Sequence, residues 1–137
     1  MFWSNFLMFP KSKKRFQDQE EMKLISEISR FLVGIGIYPK YTGYNYIVMA
    51  VSHVVSLDGA RTTLGDIYRH IGELMGKTPG TVERSIRFVL EKSICSRNIL
   101  HLNDIFGYDV FHMDTNITAG ELIYLIADRI MYGDYID

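Results

Sequence analysis

Apolar residues recur every three to four positions along most of the chain, which is the spacing of one face of a helix. The pattern predicts six helices, at about residues 17–33, 43–56, 63–74, 78–93 and 98–107, and from 118 through 130. The second segment, GYNYIVMAVSHVVS, is apolar on nearly all sides, so we expect it at the centre of the core. The chain is therefore predicted to fold as one all-α domain of six helices.

Residues at the expected helix ends support this division. The three prolines, at positions 10, 39 and 79, each fall where a helix should start or stop. Thr78 followed by Pro79 is typical of an N-cap and a first helical position. In TAGE, Thr118 and Glu121 predict a capping box that opens the last helix. The apolar stripe of the third helix is predicted to consist of Leu64, Ile67, Ile71 and Leu74.

Composition fits a compact domain and excludes several other classes. The 137 residues are 47% hydrophobic and 23% charged, which suits a folded core and argues against a disordered chain. No apolar run approaches the roughly 18 residues that a membrane span requires, so we expect no membrane-spanning segment and a cytoplasmic protein. The net charge of −1 does not favour a nucleic-acid partner. It does not exclude one, because a local patch binds phosphate rather than the sum of charges.

The first 16 residues, MFWSNFLMFPKSKKRF, differ from the rest of the chain. Their basic cluster follows the apolar stretch, whereas a signal peptide has the reverse order. We interpret residues 1–16 as an aromatic and basic tail, residues 17–132 as the helical domain, and residues 133–137 as a C-terminal tail. The aromatic side chains are left with three possible contacts, namely the domain itself, a partner or a membrane surface.

The third and fourth helices have the lengths and spacing of a helix-turn-helix, in which a short glycine-containing turn joins two helices. Val82, Ile86, Val89 and Leu90 recur at core-facing spacing in the fourth helix. Its other face and preceding turn carry small, polar or charged residues near the helix N-terminus, the end that approaches base edges. These candidate DNA-binding residues are Lys77, Thr78, Gly80, Thr81, Glu83, Arg84 and Arg87.

The chemistry of these residues suits DNA, but a second interpretation stays open. Arginine can grip guanine bidentately, glutamate can accept from cytosine, and threonine can contact a thymine methyl group or a phosphate. Backbone N–H groups after Thr78 are also able to hold a phosphate. However, Glu83 and Arg87 stand four residues apart, as in an ordinary surface ion pair. The pattern alone therefore fits either a solvated helix face or a helix that enters a DNA groove.

No other motif indicates catalysis, a metal or a cofactor. The glycines at positions 34 and 36 lack the third glycine and the preceding strand of a dinucleotide site. The four histidines show no metal-ligand spacing with carboxylates or Cys95, and His53 is interpreted as a packed side chain. Cys95 is interpreted as a small buried residue. We therefore expect neither an enzyme nor a bound metal or cofactor.

The segment IYRHIGELMGKTPGTVERSIR resembles the helix-turn-helix of the C-terminal effector domain of stage-zero sporulation protein A, whose recognition helix carries a similar VERAIR. IGIYPKYTGYNYI, NILHLNDIFGY and ELIYLIADRI resemble three further segments of that family, so the resemblance extends over about residues 25–131. It implies a six-helix domain that reads a TGTCGAA-type box, binds in tandem on adjacent boxes and contacts RNA polymerase. Carried over by position, Glu83, Arg84 and Arg87 are implied to make the recognition-helix contacts.

The chain also departs from this family. The family usually has arginine at the position of Thr81 and serine at that of Gly80, so the preferred DNA box is expected to differ. Its lysines after Phe-Gly-Tyr fall at about Asp114 and Asn116, which should weaken phosphate binding. About 20 residues precede the domain, so we expect no receiver domain. Without a receiver domain, the protein would be always active, or its activity would be controlled by its own amount in the cell or by a partner.

Two functions follow from these observations. The first is a stand-alone, sequence-specific DNA-binding regulator of transcription. The second is a protein-interaction module of the same fold that modulates a full-length regulator without binding DNA. Thr81, Asp114 and the slightly acidic net charge favour the second function.

Overall fold

The computed structural model describes residues 15–112 and 116–133, and this part of the chain contains six α-helices and no strand. An additional 3₁₀ turn, Asn98–Leu100, leads directly into the fifth helix. The α-helices are α1 (Arg15–Gly34), α2 (Thr42–Ser56), α3 (Leu64–Met75), α4 (Pro79–Cys95), α5 (His101–Phe106) and α6 (Ala119–Tyr132). The predicted all-α architecture with six helices is confirmed.

The helix ends follow from the predicted capping residues. Thr78 accepts a hydrogen bond from the backbone N–H of Thr81 at 3.1 Å, with Pro79 in the first turn of α4. Thr118 and Glu121 form the predicted capping box at the start of α6. α1 begins at Arg15 and so includes the last two residues of the predicted tail. The rest of that tail and residues 134–137 lie outside the described part of the chain, and the proposed division into tails and domain stays a prediction.

α2 lies at the centre of the molecule and packs against α1, α3, α4 and α6. Its residues are buried on nearly every side, as its uniformly apolar sequence predicts. The crossing with α4 is close, because a Cβ atom placed on Gly43 would overlap the backbone carbonyl oxygen of Ser85. Only a glycine at this position lets the two helix backbones come so near, and this contact sets how α2 supports α4.

Two predicted burials are wrong. Leu74 is 39% exposed, and Tyr68 is buried instead. Tyr68 lies next to Ile71 on the buried side of α3, whereas Leu74 stands in the last turn of the helix, beside the exposed turn at Gly76. Cys95 is exposed, because Ser93 takes the buried position in the last turns of α4. The hydroxyl group of Ser93 donates to the backbone carbonyl of Ile35 and so ties α4 to the segment after α1.

His53 on α2 packs against His70 on α3, with ring centroids 4.6 Å apart. Burial lowers the pKa of His53, and the proximity of His70 lowers it further. The folded protein therefore disfavours the protonated form, whereas His53 in the unfolded chain titrates near its ordinary value of about 6.5.

This difference predicts a pH dependence of stability. Below about pH 6.5 the unfolded chain binds a proton that folded His53 resists, so the free energy of unfolding falls as the pH is lowered. The fall levels off below the folded-state pKa. Urea unfolding at several pH values between 5 and 8 measures it, and His53→Gln should flatten this part of the curve. A variant with the full wild-type slope would show that other groups cause the dependence.

Candidate nucleic-acid interface

The turn between α3 and α4 is held close to the end of α3. Gly76 adopts the left-handed conformation with φ 69°, and the N–H of Lys77 donates to the carbonyl of Gly72 at 2.8 Å. A side chain on Gly72 would overlap the carbonyl oxygen of Lys77, so the chain turns directly over this glycine. α3 and α4 pack against each other on either side of the turn. The pair is the helix-turn-helix that the sequence predicts.

The buried face of α4 is the one predicted from its apolar spacing. Val82, Ile86, Val89 and Leu90 are each no more than 3% exposed. The opposite face points to solvent and has Gly80, Arg84, Arg87 and Glu91 along its ridge, all of them exposed. The packed face thus fixes the helix, and the ridge is free to meet a partner.

The seven candidate residues lie in the turn and in the first half of α4. Lys77, Thr78, Gly80, Arg84 and Arg87 are exposed, while Thr81 and Glu83 are half-buried. Several of their polar groups already have partners. The Oγ1 atoms of Thr78 and Thr81 lie 2.9 Å apart, and Nη2 of Arg84 lies 3.3 Å from Oγ1 of Thr81. Because Thr78 caps the N–H of Thr81, that N–H is not open to a phosphate.

Glu83 and Arg87 form the surface ion pair that the sequence left as an alternative. Nη1 of Arg87 lies 3.1 Å from Oε2 of Glu83, and both side chains keep substantial exposure. Such an exposed i,i+4 pair contributes only about 0.3–0.5 kcal/mol. A phosphate or a guanine can therefore replace it at small cost, and the pair itself favours neither interpretation.

Glu83 also lies near the buried Tyr68 of α3. Burial raises the pKa of Tyr68 to about 12, and the negative charge of Glu83 contributes to this rise. Tyr68 therefore stays neutral over the physiological range of pH. The carboxylate of Glu83 therefore pairs with Arg87 and also lies within electrostatic range of the phenol of Tyr68.

Two grooves flank the ridge of α4, and we name them by the helices on their far sides. The α2-side groove has a volume of about 380 Å³ and runs along Lys40–Gly43, with Thr81, Arg84 and Phe88 on the α4 wall. The α6-side groove has a volume of about 430 Å³. Its α4 wall includes Glu83, Arg87 and Glu91, and residues 116–119 form its other wall.

Sequence reasoning missed four residues at the α2-side groove. Phe88 is 54% exposed, and its ring meets that of Tyr41 edge-on at a centroid distance of 6.3 Å. Nζ of Lys92 lies 5.5 Å from the ring centroid of Phe88, and Nζ of Lys40 lies 5.2 Å from that of Tyr41. One signal was present in the sequence, because Phe88 stands four residues after Arg84 on a face otherwise polar.

The resemblance implies family lysines at about the positions of Asp114 and Asn116. Asn116 is exposed and lines the α6-side groove, and Asp114 lies outside the described residues. Within residues 15–112 and 116–133, no three His, Cys, Asp or Glu side chains come together in a way that could hold a metal ion. None of the helices described is long and apolar enough to cross a bilayer.

Comparison with known proteins gives one result for the family and one for structures. Residues 28–130 match the family model described as "Sporulation initiation factor Spo0A C terminal". The match runs from the middle of α1 into the last turns of α6 and includes the whole helix-turn-helix. No solved structure matches the chain. The matched family is one of DNA-binding effector domains and not of enzymes. The chain therefore belongs to the family of C-terminal DNA-binding effector domains of the sporulation initiation factor Spo0A.

Proposed function

We propose that this chain, by itself, binds double-stranded DNA sequence-specifically and regulates transcription, with α4 as the recognition helix in the major groove. The exposed ridge of α4 is the observation that carries the proposal. It places two arginines in the first half of the second helix of a helix-turn-helix, the part of such a helix that reaches base edges. The membership in a family of DNA-binding effector domains supports it.

Each candidate residue has a role that its exposure and contacts allow. Arg84 and Arg87 are suited to guanine or phosphate, and Glu83 to the amino group of cytosine. Lys77 and Thr78, in the turn, are placed for phosphate contacts. Gly80 leaves room for close approach, since a Cβ atom there would meet nothing nearer than the Oγ1 atom of Thr78 at 4.0 Å. Thr81 occupies the position of a family arginine, so a change in box preference is expected.

Partners follow from the same proposal. Binding in tandem on adjacent boxes, contact with RNA polymerase and competition with a full-length regulator are the partner relations that the family suggests. A regulator of bacterial transcription would act in the cytoplasm. None of these relations requires a cofactor.

Fluorescence anisotropy with a labelled TGTCGAA-type duplex and a scrambled duplex, at two salt concentrations, tests the proposal. Arg84→Ala and Arg87→Ala should each weaken binding to the box by about 1–3 kcal/mol, and weaken binding to the scrambled duplex less. Arg30→Ala, which removes an exposed arginine from α1, is the matched control and should bind like the wild type. Thermal unfolding of each variant checks that the fold is retained.

Glu83→Gln separates the effect of Arg87 from that of its ion pair. Arg87→Ala also leaves the carboxylate of Glu83 unpaired beside the DNA, so part of its loss is repulsion. The double variant Glu83→Gln/Arg87→Ala should therefore bind nonspecific DNA better than Arg87→Ala alone. Arginine variants that bind the box as tightly as the wild type would remove α4 from the interface. Equal binding to both duplexes by the wild type would mean that the preferred box has changed.

A second function is favoured by the acidic residues on α4. Glu83 and Glu91 line the α6-side groove and oppose a polyanion there. We keep as the alternative a protein-interaction module of the same fold that modulates a full-length regulator without binding DNA. Absence of DNA binding at low salt by a correctly folded sample would favour this alternative and would overturn the first proposal.

A further inference from the structure

The α2-side groove combines cations with aromatic rings, and α4 does not need these rings to read base edges. Lys40 and Tyr41 contribute one wall, and Arg84, Phe88 and Lys92 lie in succession on the adjoining face of α4. The last three are four residues apart, so they form a row along the helix. Arg84 belongs both to this row and to the exposed ridge, which makes the groove continuous with the proposed DNA-reading surface.

The ring of Phe88 in this groove is open to solvent. Phe88 is 54% exposed, and its ring meets that of the half-buried Tyr41 edge-on. The ammonium group of Lys92 lies 5.7 Å from the ring centroid of Tyr41 and 5.5 Å from that of Phe88. An isolated domain gains little from an exposed phenylalanine, whereas a partner that covers the ring gains about 25 cal/mol for each Å² of apolar surface removed from water.

The charges of the two grooves differ in sign. Among the described residues that line the α2-side groove there is no carboxylate, and Lys40 and Arg84 are both cationic. The α6-side groove has two carboxylates, Glu83 and Glu91, and one cation, Arg87, in its wall, so its net charge is negative. A polyanion that meets α4 is therefore attracted to the α2 side and opposed on the α6 side. The asymmetry fixes on which side of the recognition helix a DNA strand should lie.

We propose that the α2-side groove seats the sugar–phosphate backbone of one DNA strand while the ridge of α4 enters the adjacent major groove. A DNA backbone alternates anionic phosphates with apolar faces of deoxyribose. Lys40 and Lys92 would take phosphates on either side, and the rings of Tyr41 and Phe88 would cover a sugar between them. This inference rests on the proposed DNA-binding function and adds to it a strand position and four contact residues.

The continuity of the α2-side groove with Arg84 favours a DNA strand over a protein segment as the molecule bound there. An acidic protein segment would match the same cations, but it would not need to lie beside a helix that reads bases. A strand flanking the major groove must lie there, since the backbone borders the groove in which α4 is placed. If an acidic protein segment occupies the groove instead, the Lys40→Gln/Lys92→Gln variant should bind DNA with the wild-type slope.

The salt dependence of DNA binding tests this inference. Lys40→Gln/Lys92→Gln should reduce the slope of log affinity against log salt by about 2, since each lost phosphate contact removes about 0.9 from the slope. The affinity for the TGTCGAA-type and scrambled duplexes should fall by the same factor, leaving their ratio unchanged. Lys23→Gln, at an exposed lysine of α1, is the control and should keep the wild-type slope.

Phe88→Ala tests the aromatic part separately. We expect affinity for both duplexes to fall about fivefold, which corresponds to a sugar covering roughly 40 Å² of the exposed ring at about 25 cal/mol for each Å². The salt slope should stay at the wild-type value, because no charge is lost. Tyr108→Ala, at a tyrosine that is 56% exposed after α5, controls for the loss of an exposed aromatic ring and should leave affinity unchanged. Circular dichroism confirms folding of each variant.

The results distinguish this inference from the function on which it rests. If Arg84→Ala and Arg87→Ala weaken binding to the box while the lysine double variant keeps the wild-type slope, the strand position is wrong and the DNA-binding function stands. If Phe88→Ala binds both duplexes like the wild type, the ring does not contact DNA and the aromatic part of the inference fails. No DNA binding by the folded wild type would overturn both.

Discussion

Replacing Gly43 with alanine will lower the free energy of unfolding by about 3 kcal/mol, the upper end of the usual cost of overpacking. The added methyl group would overlap the backbone carbonyl oxygen of Ser85 and lie 2.8 Å from the Cγ2 atom of Val89. A flexible side chain could move aside, but the carbonyl belongs to the backbone of α4. Relief therefore requires α2 and α4 to separate, and that loosens the contact at the centre of the core.

Gly65→Ala is the matched control for this substitution. Gly65 also lies in the first turn of a helix, but the nearest atom to an added Cβ is the Oγ1 atom of Thr63, at 3.9 Å. Since alanine is the better helix former, Gly65→Ala should leave stability unchanged or raise it by up to about 1 kcal/mol. Urea unfolding of the two variants and the wild type measures the difference. Equal stability of Gly43→Ala and the wild type would show that the helices separate at little cost.

The Gly43 substitution also tests how the core presents α4, the proposed recognition helix. α2 supports α4 from behind at this crossing, so a shift between them moves Arg84 relative to Lys40 and Tyr41, which directly precede α2. We expect Gly43→Ala to weaken specific DNA binding even at temperatures where the variant is folded. Gly65→Ala should bind like the wild type.

The helices and their caps were predictable from the sequence because each depends on local chemistry. Each cap involves residues no more than four positions apart in the chain. The structure shows the predicted capping hydrogen bonds at Thr78 and between Thr118 and Glu121. The centrality of α2 was equally readable, since a helix that is apolar on all sides can lie only inside. What the sequence predicted least well was burial near helix ends, as at Leu74 and Cys95, where the apolar face is no longer complete.

The residues of the candidate interface also fall into a group that the sequence predicts and a group that it does not. Spacing alone placed Arg84 and Arg87 on the exposed face of α4, because that face is the complement of a well-marked apolar stripe. Lys40 and Tyr41 could not be assigned to the same surface, since they lie about 40 residues before Arg84 in the chain and are brought beside α4 by the packing of α2 against α4 at Gly43. Contacts set by the packing of distant segments leave no periodic signal in a single sequence.

Replacing Asn103 with alanine should lower the free energy of unfolding by roughly 2–4 kcal/mol, because it leaves three backbone groups without their partner. The Oδ1 atom of Asn103 accepts from the N–H groups of Val110, at 2.8 Å, and Phe111, at 2.9 Å. Its Nδ2 atom donates to the carbonyl of Phe111 at 3.0 Å. One side chain thus holds the segment after α5, and it keeps the buried ring of Phe111 in the core.

Asn103→Asp and Asn116→Ala serve as the two controls for this prediction. An aspartate keeps both acceptor bonds, although it loses the donor to Phe111 and sets a carboxylate oxygen against that carbonyl, so its loss of stability should still be smaller than that of alanine. Asn116→Ala removes an exposed asparagine from the approach to α6 and should change stability little. Urea unfolding again gives the measurement. If Asn103→Ala is as stable as the wild type, water replaces the side chain and the segment does not depend on it.

The same variant addresses whether this last loop contributes to DNA binding. The resemblance to the family implies lysines at about the positions of Asp114 and Asn116, and neither of these residues is a cation. We therefore expect Asn103→Ala, at a temperature where it is folded, to keep the wild-type salt slope for DNA binding. The Lys40→Gln/Lys92→Gln variant should reduce that slope under the same conditions. A reduced slope for Asn103→Ala would instead place the loop after α5 against a phosphate, and the DNA strand would then cross both sides of α4.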